Sequence, residues 1–175
     1  MTAGSRDPPR WRPRGMLPRG MPHALANDMG PYLVALDSSP RAPAVLAAAI
    51  RLAAATPAKL ILFRAVGLPN DLPVEAYAIS PEDVVGVLRQ RAERELKELA
   101  RTIPASIPFE TRVEIGTAWN AICEIGKASS AALIVVGSHG YSGLERLLGT
   151  TAARVVNHAD RSVLVVRQGE LLEPT

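Results

Sequence analysis

Short apolar runs alternate along this chain with longer segments of helical periodicity, and this alternation restricts the possible folds more than any single motif does. Five runs are predicted to be strands, at residues 32–37, 59–66, 109–115, 132–137 and 162–167. Four helical stretches separate them, at residues 40 to about 56, 82–101, 117 to about 130 and 150–157. Strands that alternate with helices predict an α/β domain with a doubly wound parallel sheet and helices on both faces.

The five predicted strands differ in character. Residues 132–137 are continuously apolar, which is typical of a strand covered on both faces. Residues 109–115 alternate between apolar and charged side chains, which predicts a half-exposed strand at a sheet edge. Residues 162–167 are apolar without alternation.

Two sequence details concern the helices. Ser39 and Pro40 are predicted to supply the N-cap and the first turn of the first helix. The second helix has one apolar face, and its other face carries a charge pattern with i,i+4 pairs that we interpret as solvated. The charged residues are Arg91, Glu93, Arg94, Glu95, Lys97 and Glu98.

The charge of the chain is unevenly distributed. The formal net charge is +3 and the pI about 9.4, which would favour a nucleic-acid partner. Residues 1–29, however, hold five arginines against two acids, whereas residues 30–175 hold 15 basic and 15 acidic groups. The basic excess therefore belongs to a proline-rich arm at 1–29, predicted to be disordered, and we expect no nucleic-acid partner for the folded part. Met16, Met21 and Met29 leave open which methionine starts the chain.

The apolar runs and the cysteine content indicate in which cellular compartment the protein resides. No run of 18 apolar residues is present, so no membrane span is expected. Cys123 is the single cysteine, which excludes a disulfide framework and suits a reducing cytoplasm. It lies in the predicted third helix, where a structural thiol is favoured over a reactive one.

Parallel sheets of this class bind ligands at the carboxyl ends of their strands, where the strand order reverses. The residues at those ends are 37–39, 65–67, 116–117 and 137–143. Gly137, Gly140 and Gly143 lie three apart directly after a buried strand, where backbone N–H groups can approach an anion. Gly149 and two threonines then open a helix, and a helix N-terminus favours phosphate. Together the two elements could hold a polyphosphate; alternatively, the glycines only form a tight turn and a close helix–sheet contact.

At these residues the chain resembles the universal stress protein family. The stretch VVGSHGYSGLERLLGTTAARVVNHADRSVLVV is similar to that family's carboxyl-terminal signature, and LVALDSSP is similar to its first strand and turn. The resemblance covers residues 30–168, which leaves the arm and a short tail at 169–175 outside. It implies a Rossmann-like, adenine nucleotide alpha hydrolase-like fold with strand order 3-2-1-4-5. It also implies a cytoplasmic homodimer with a stress-response role.

The resemblance further implies a site for ATP. The implied residues are Asp37, Ser38, Ser39, Ala65, Val136, Gly137, His139, Gly140, Gly149, Thr150 and Thr151. Asp37 would lie near the ribose or a bound Mg²⁺, the backbone of Ala65 near adenine, and the two threonines near phosphates. His139 could contact a phosphate or be only a surface residue, and Ser39 could be only an N-cap.

One departure from the family pattern keeps a second function open. ATP-binding members place nine residues between Gly-x-x-Gly and Gly-Ser/Thr, whereas eight residues separate Gly140 from Gly149 here. A lost residue rotates a helix start by roughly 100° unless the loop absorbs it. The alternative is therefore an interaction module of the same family that binds no nucleotide.

Further expectations concern catalysis, two individual side chains and association. The sequence shows no set of nucleophile, base and orienting residue, so we expect no fast enzyme, although slow ATP hydrolysis stays open. His158 is expected to follow the last helix and cap it, and Arg146 to be exposed. The apolar edge strand at 162–167 invites pairing, and we predict a homodimer through it, with a protein partner that is unknown.

Overall fold

The computed structural model describes residues 30–67, 81–138 and 149–167. The arm at 1–29 and the tail at 169–175 lie outside these residues. The elements that the structure describes are the strands β1 (Tyr32–Ala35), β2 (Leu60–Val66), β3 (Phe109–Ile115), β4 (Leu133–Gly137) and β5 (Ser162–Val166) and the helices α1 (Ala42–Ala55), α2 (Pro81–Ala100), α3 (Ala118–Ala128) and α4 (Thr150–His158).

The five strands form one parallel sheet in the order β3-β2-β1-β4-β5, which confirms the predicted fold class. Tyr32 pairs with Leu60 on one side of β1 and with Leu133 on the other. Strand order therefore reverses between β1 and β4, because the chain runs outward from β1 through β2 to β3 and then returns to β4. The carboxyl ends of β1 and β4 consequently flank the crevice where such folds bind ligands.

Apolar side chains cover both faces of the sheet, in two separate clusters. Alternation along β1 sends Val34 to the cluster with α1 and α2, and Leu33 to the cluster with α3 and α4. In β2, Leu62 and Phe63 divide in the same way, and both are fully buried. The central strands are thus fixed on both sides, and the loops at their carboxyl ends project from a rigid base.

Both edges of the sheet are the predicted ones. β3 is an edge strand, and its first four residues are exposed, including Phe109 at 44%. Of the side chains on the apolar face predicted for this strand, only Val113 is fully buried, because an edge strand has a neighbour on one side only. β5 forms the other edge, and Leu164 is 37% exposed there.

The start of α1 differs from the prediction. The helix begins at Ala42 with Arg41 at the N-cap position, two residues after the predicted cap. Ser39 belongs to a preceding turn, in which its carbonyl accepts from Ala42 N at 3.1 Å. Asp37 Oδ1 accepts hydrogen bonds from both the backbone N and the hydroxyl of Ser39, which holds this residue in the turn. At α3, Thr117 takes the N-cap position, without a capping side-chain hydrogen bond.

Two helical glycines provide a matched test of the packing. A Cβ at Gly126 in α3 would lie 2.8 Å from Cδ1 of Ile134, a fully buried side chain, whereas a Cβ at Gly86 in α2 would meet nothing within 4 Å. We expect Gly126→Ala to lower the free energy of unfolding by about 1–2 kcal/mol through overpacking. We expect Gly86→Ala to raise it by about 0.5–1 kcal/mol through helix propensity. Urea denaturation measures both, and equal shifts of the same sign would contradict the close contact of α3 with β4.

Candidate functional site

The loops after β1 and β4 meet at the reversal of strand order. Arg41 lies at the start of α1, and its Nη1 donates to the carbonyl of Ser138 at 3.4 Å, which joins the two loops. Leu36 N donates to Phe63 O at 2.8 Å, the last backbone bond that ties the β1 side to β2. Ser138 N donates to Val166 O at 2.9 Å, so the end of β4 is likewise tied to β5. The crevice therefore has a fixed floor.

The predicted residues at the end of β1 form a compact polar turn. Asp37 and Ser38 are exposed and Ser39 is half-buried. Asp37 Oδ1 accepts from Ser39 N at 3.1 Å and from Ser39 Oγ at 2.7 Å. Arg41 N donates in turn to Ser39 Oγ at 3.3 Å. The carboxylate is thus exposed in the turn that follows β1, and its bonds to Ser39 fix its orientation.

A buried arginine that sequence reasoning missed supports this turn. Arg64 is 4% exposed, although it lies in β2 among apolar residues. Its Nε donates to Leu36 O at 3.3 Å and its Nη2 to Asp37 O at 2.7 Å, while its Nη1 forms an ion pair with Glu95. The sequence does contain a signal for this arrangement, since Arg64 is the one charged residue in the otherwise apolar run LILFRAV. A charged side chain is rarely buried unless it is paired, so an arginine in a buried strand indicates a partner elsewhere in the fold.

Glu95 connects the turn to α2. Its Oε2 pairs with Arg64 and accepts from Ser38 Oγ at 3.1 Å, and its Oε1 accepts from Arg91 Nε at 2.9 Å. The hydrogen bond from Arg91, with further bonds from Arg64 and Ser38, lowers the pKa of Glu95 below its ordinary value, although partial burial opposes this. The i,i+4 pair predicted on the solvated face of α2 is therefore present, but the same carboxylate also reaches into the sheet.

The carboxyl ends of β2 and β3 lie beyond β1, in the direction away from β4. Ala65 is half-buried and packs against the α3–α4 cluster. Gly116 follows β3, and its N donates to Val66 O at 2.9 Å. Its φ of 149° lies in a region that side chains rarely adopt, so the chain turns away from the sheet at a position suited to glycine.

The start of α4 is the described element best suited to an anion. Gly149 is buried and takes the N-cap position, and its carbonyl accepts from Ala153 N at 2.8 Å. Thr150 and Thr151 follow in the first turn, and both are exposed. The first N–H groups of a helix have no intrahelical acceptor, and no acidic residue occupies this first turn. The helix thus offers donors, hydroxyls and the positive end of its dipole.

The remaining predicted site residues divide between β4 and the stretch after it. Val136 is 3% exposed in the α3–α4 cluster, so only its backbone is available to a ligand. Gly137 ends β4 and is half-buried. His139, Gly140 and Arg146 lie outside the described residues, as does the eight-residue spacer.

A second group of side chains lies on the α3–α4 side. His158 is the last residue of α4 and its ring lies 5.1 Å from that of Trp119, while Ala159 takes the C-cap position. The expectation that His158 follows the helix as its cap was therefore wrong by one residue, and its ring packs on an aromatic neighbour. Arg154 lies over the same indole at 5.6 Å. Burial, with the nearby charges of Asp160 and Glu124, raises the pKa of the Cys123 thiol, which favours a structural role.

No group of three or more His, Cys, Asp and Glu side chains that could hold a metal ion occurs in residues 30–67, 81–138 and 149–167. In the same part of the chain, no helix is both long and apolar enough to cross a membrane.

The chain is similar in sequence and in fold to proteins of one family. The model of the universal stress protein family matches residues 29–167. Universal stress protein A homolog 2 of Coxiella burnetii is 33% identical over 134 residues, which cover 77% of this chain and 90% of that protein. The solved universal stress protein UspA of Lactobacillus plantarum is 25% identical with a TM-score of 0.63, covering 79% of this chain and 98% of that one. A universal stress protein solved in complex with cAMP is 26% identical with a TM-score of 0.53, covering 78% and 96%.

Proposed function

Because the chain belongs to the universal stress protein family, we propose that it is a stress-response protein that binds ATP at the carboxyl ends of its strands. The observation that carries the proposal is the start of α4, where Gly149, Thr150 and Thr151 present an uncapped helix N-terminus. This N-terminus follows β4, which borders the reversal of strand order. A negatively charged ligand is stabilised at such a position by the helix dipole and the N–H groups.

The other half of the nucleotide would lie over β1 and β2. Asp37, oriented by its bonds to Ser39, is suited to accept from ribose hydroxyls. Adenine would lie against the backbone near Ala65, and the phosphates would extend past Gly137 towards α4. A related protein, the universal stress protein solved with cAMP, supports an adenine nucleotide as the ligand class.

Mg²⁺ would accompany the triphosphate rather than occupy a site built by the protein. Carboxylates and phosphate oxygens are the ligands that Mg²⁺ prefers, and it is usually held by one or two carboxylates plus the substrate phosphates. Asp37 is an exposed carboxylate in the turn after β1, and it fits this role. The ion would neutralise phosphate charge there.

We further propose that the nucleotide acts as a signal to a partner protein, without rapid turnover, in the cytoplasm. The competing function is an interaction module that binds no nucleotide, and the spacer of eight residues between Gly140 and Gly149 favours it.

Release of bound nucleotide separates the two functions. The purified protein is denatured, and the supernatant is examined by absorbance at 260 nm and by mass spectrometry, followed by calorimetric titration of nucleotide-free protein with ATP. We expect an adenine nucleotide in the supernatant or heat on titration. If neither is found, the ATP proposal fails and the interaction module takes its place. Slow hydrolysis that Gly140→Val abolishes would instead support an enzyme.

We also propose that the protein forms a homodimer through residues 162–167. β5 is an edge strand of apolar residues, with Leu164 37% exposed, and exposed edges of this kind pair with other chains. Because backbone groups alternate along a strand and Val166 O points to Ser138, those of Val163 and Val165 face away from β4.

A lysine on each edge of the sheet tests this dimer. We expect Leu164→Lys to convert the dimer to a monomer in size-exclusion chromatography with light scattering, because edge lysines oppose strand pairing. Phe109→Lys introduces the same charge at a similarly exposed position on β3, and we expect it to leave the dimer intact. A wild-type monomer, or dissociation by the β3 variant alone, would contradict the assigned interface.

A further inference from the structure

We propose that Arg64 is a positioning residue for the nucleotide: its guanidinium fixes the turn at residues 36–39, and the order of that turn sets the affinity for ATP. This inference rests on the proposed function and adds to it a residue that touches no ligand. It concerns Arg64, the β1 turn and Glu95, all of which the structure describes.

The donors of Arg64 are directed at the protein chain. Nε donates to Leu36 O at 3.3 Å, and Nη2 donates to Asp37 O at 2.7 Å. Nη1 pairs with Glu95 and lies 3.4 Å from Ser38 Oγ. Since the side chain is 5% exposed and all three nitrogens contact the protein, the guanidinium does not serve as a phosphate ligand. Any effect on a nucleotide must pass through the turn.

The turn needs this support because β1 ends before it. The paired residues of β1 and β2 extend only to Ala35 and Phe63, and Leu36 N makes the last bond to β2. The carbonyls of Leu36 and Asp37 follow that point, and Arg64 donates to both of them. The carbonyl of Leu36 is buried and requires a donor, and that of Asp37 is partly buried, so the guanidinium continues the hydrogen bonding of the sheet over these two residues.

The position of Asp37 follows from this arrangement. Arg64 holds the backbone of Asp37 from the sheet side, and the carboxylate of the same residue accepts from Ser39 on the crevice side. Glu95 fixes Arg64 from α2 and also accepts from Ser38. A binding site whose groups are held in place before the ligand arrives loses less entropy on binding, so its affinity is higher.

The variant Arg64→Lys separates the hydrogen bonding of the guanidinium from its positive charge. It keeps the positive charge and can still pair with Glu95, but a single ammonium cannot reproduce the planar fork that serves two successive carbonyls. Arg112→Lys is the matched control, because Arg112 forms an ion pair with Glu114 on exposed β3, at the edge of the sheet. The readouts are the Kd for ATP by calorimetry, the thermal midpoint, and amide hydrogen exchange by NMR without nucleotide at Leu36 and Ser39, whose N–H groups are hydrogen-bonded.

We expect Arg64→Lys to raise the Kd for ATP about tenfold, measured well below the thermal midpoint, and to speed amide exchange at Leu36 and Ser39 by a similar factor. We expect Arg112→Lys to change either quantity less than about twofold. A lower thermal midpoint with unchanged Kd and unchanged exchange would show a purely structural arginine and overturn the proposal. Faster exchange with unchanged Kd would also overturn it.

The wild-type protein separates this proposal from the proposed function. If the wild type binds no ATP, the proposed function fails, and with it the effect on affinity. The amide exchange rates of Leu36 and Ser39 then decide alone whether Arg64 orders the turn.

Discussion

Thr150→Asp is expected to weaken ATP binding by about two orders of magnitude while leaving the fold intact. Thr150 is exposed in the first turn of α4, where the proposed site receives phosphate. A carboxylate there would lie about 5 Å from a phosphate charge, and two like charges at that distance repel by roughly 3 kcal/mol at an effective dielectric constant of 20. Calorimetric titration with ATP measures the loss.

The same substitution is expected to leave the thermal midpoint unchanged or slightly raised. An acidic side chain in the first turn of a helix interacts favourably with the helix dipole by about 0.3–1 kcal/mol. Most variants that weaken binding also weaken the fold, so the opposite signs of the two effects identify a local electrostatic cause.

Asn157→Asp is the matched control. Asn157 is exposed in the last turn of the same helix, so the variant adds the same charge to the same element at its other end. We expect ATP binding to change less than about twofold, since exposed charges farther apart than a Debye length of about 8–10 Å are largely screened. Equal losses in both variants would show a general charge effect and remove α4 from the site.

Glu95→Ala is expected to lower the free energy of unfolding by about 3 kcal/mol, measured by urea denaturation. The substitution leaves Arg64 buried without its ion-pair partner, and an uncompensated buried charge is costly. Glu98→Ala is the control on the same helix, because Glu98 pairs with Arg101 where both side chains are exposed. Such surface pairs contribute about 0–1 kcal/mol, so a similar loss in both variants would contradict the distinction between the two ion pairs.

Two extensions test the cause of that loss. Combining Arg64→Met with Glu95→Ala is expected to recover only part of it: an apolar side chain needs no ionic partner, but the carbonyls of Leu36 and Asp37 lose the donors that Arg64 supplies. With Glu95→Gln the stability difference from the wild type is expected to depend on pH. The pKa of Glu95 is lowered in the folded state, so its contribution is fully present above its ordinary value of 4.5 and disappears as the pH falls through the lower folded value. A difference that stays constant from pH 7 to pH 3 would contradict the ionic origin.

The sheet was predictable from sequence because its signals are local. Apolar runs and helical periodicity are properties of adjacent residues, and the strand order followed from the family resemblance. The start of α1 was less predictable: Ser39 has the residue type of an N-cap, but Asp37 engages it in a turn and the helix begins at Ala42. Competition between a cap and a side-chain turn is decided by small energy differences.

The support beneath the candidate site was not predictable, because it is tertiary. Glu95 fits the solvated face of α2 by its spacing, and only the packing of that helix against β2 brings its carboxylate to Arg64. Neither residue indicates the other in the sequence, since 31 positions separate them. The glycines and threonines at 137–151, by contrast, indicate an anion site by their residue types alone. The roles of His139 and Gly140 in that site stay predictions.

The contrast between the two edges of the sheet limits how large an assembly can grow. β3 carries Glu110, Arg112 and Glu114 in ion pairs along its exposed length, so it resists pairing with another chain, whereas β5 is apolar. A filament requires that both edge strands of every sheet can pair with another chain, whereas in this sheet only β5 has an apolar edge suited to pairing. The proposed pairing through β5 would therefore end at two copies related by a twofold axis, and the charges on β3 would oppose growth into a fibre.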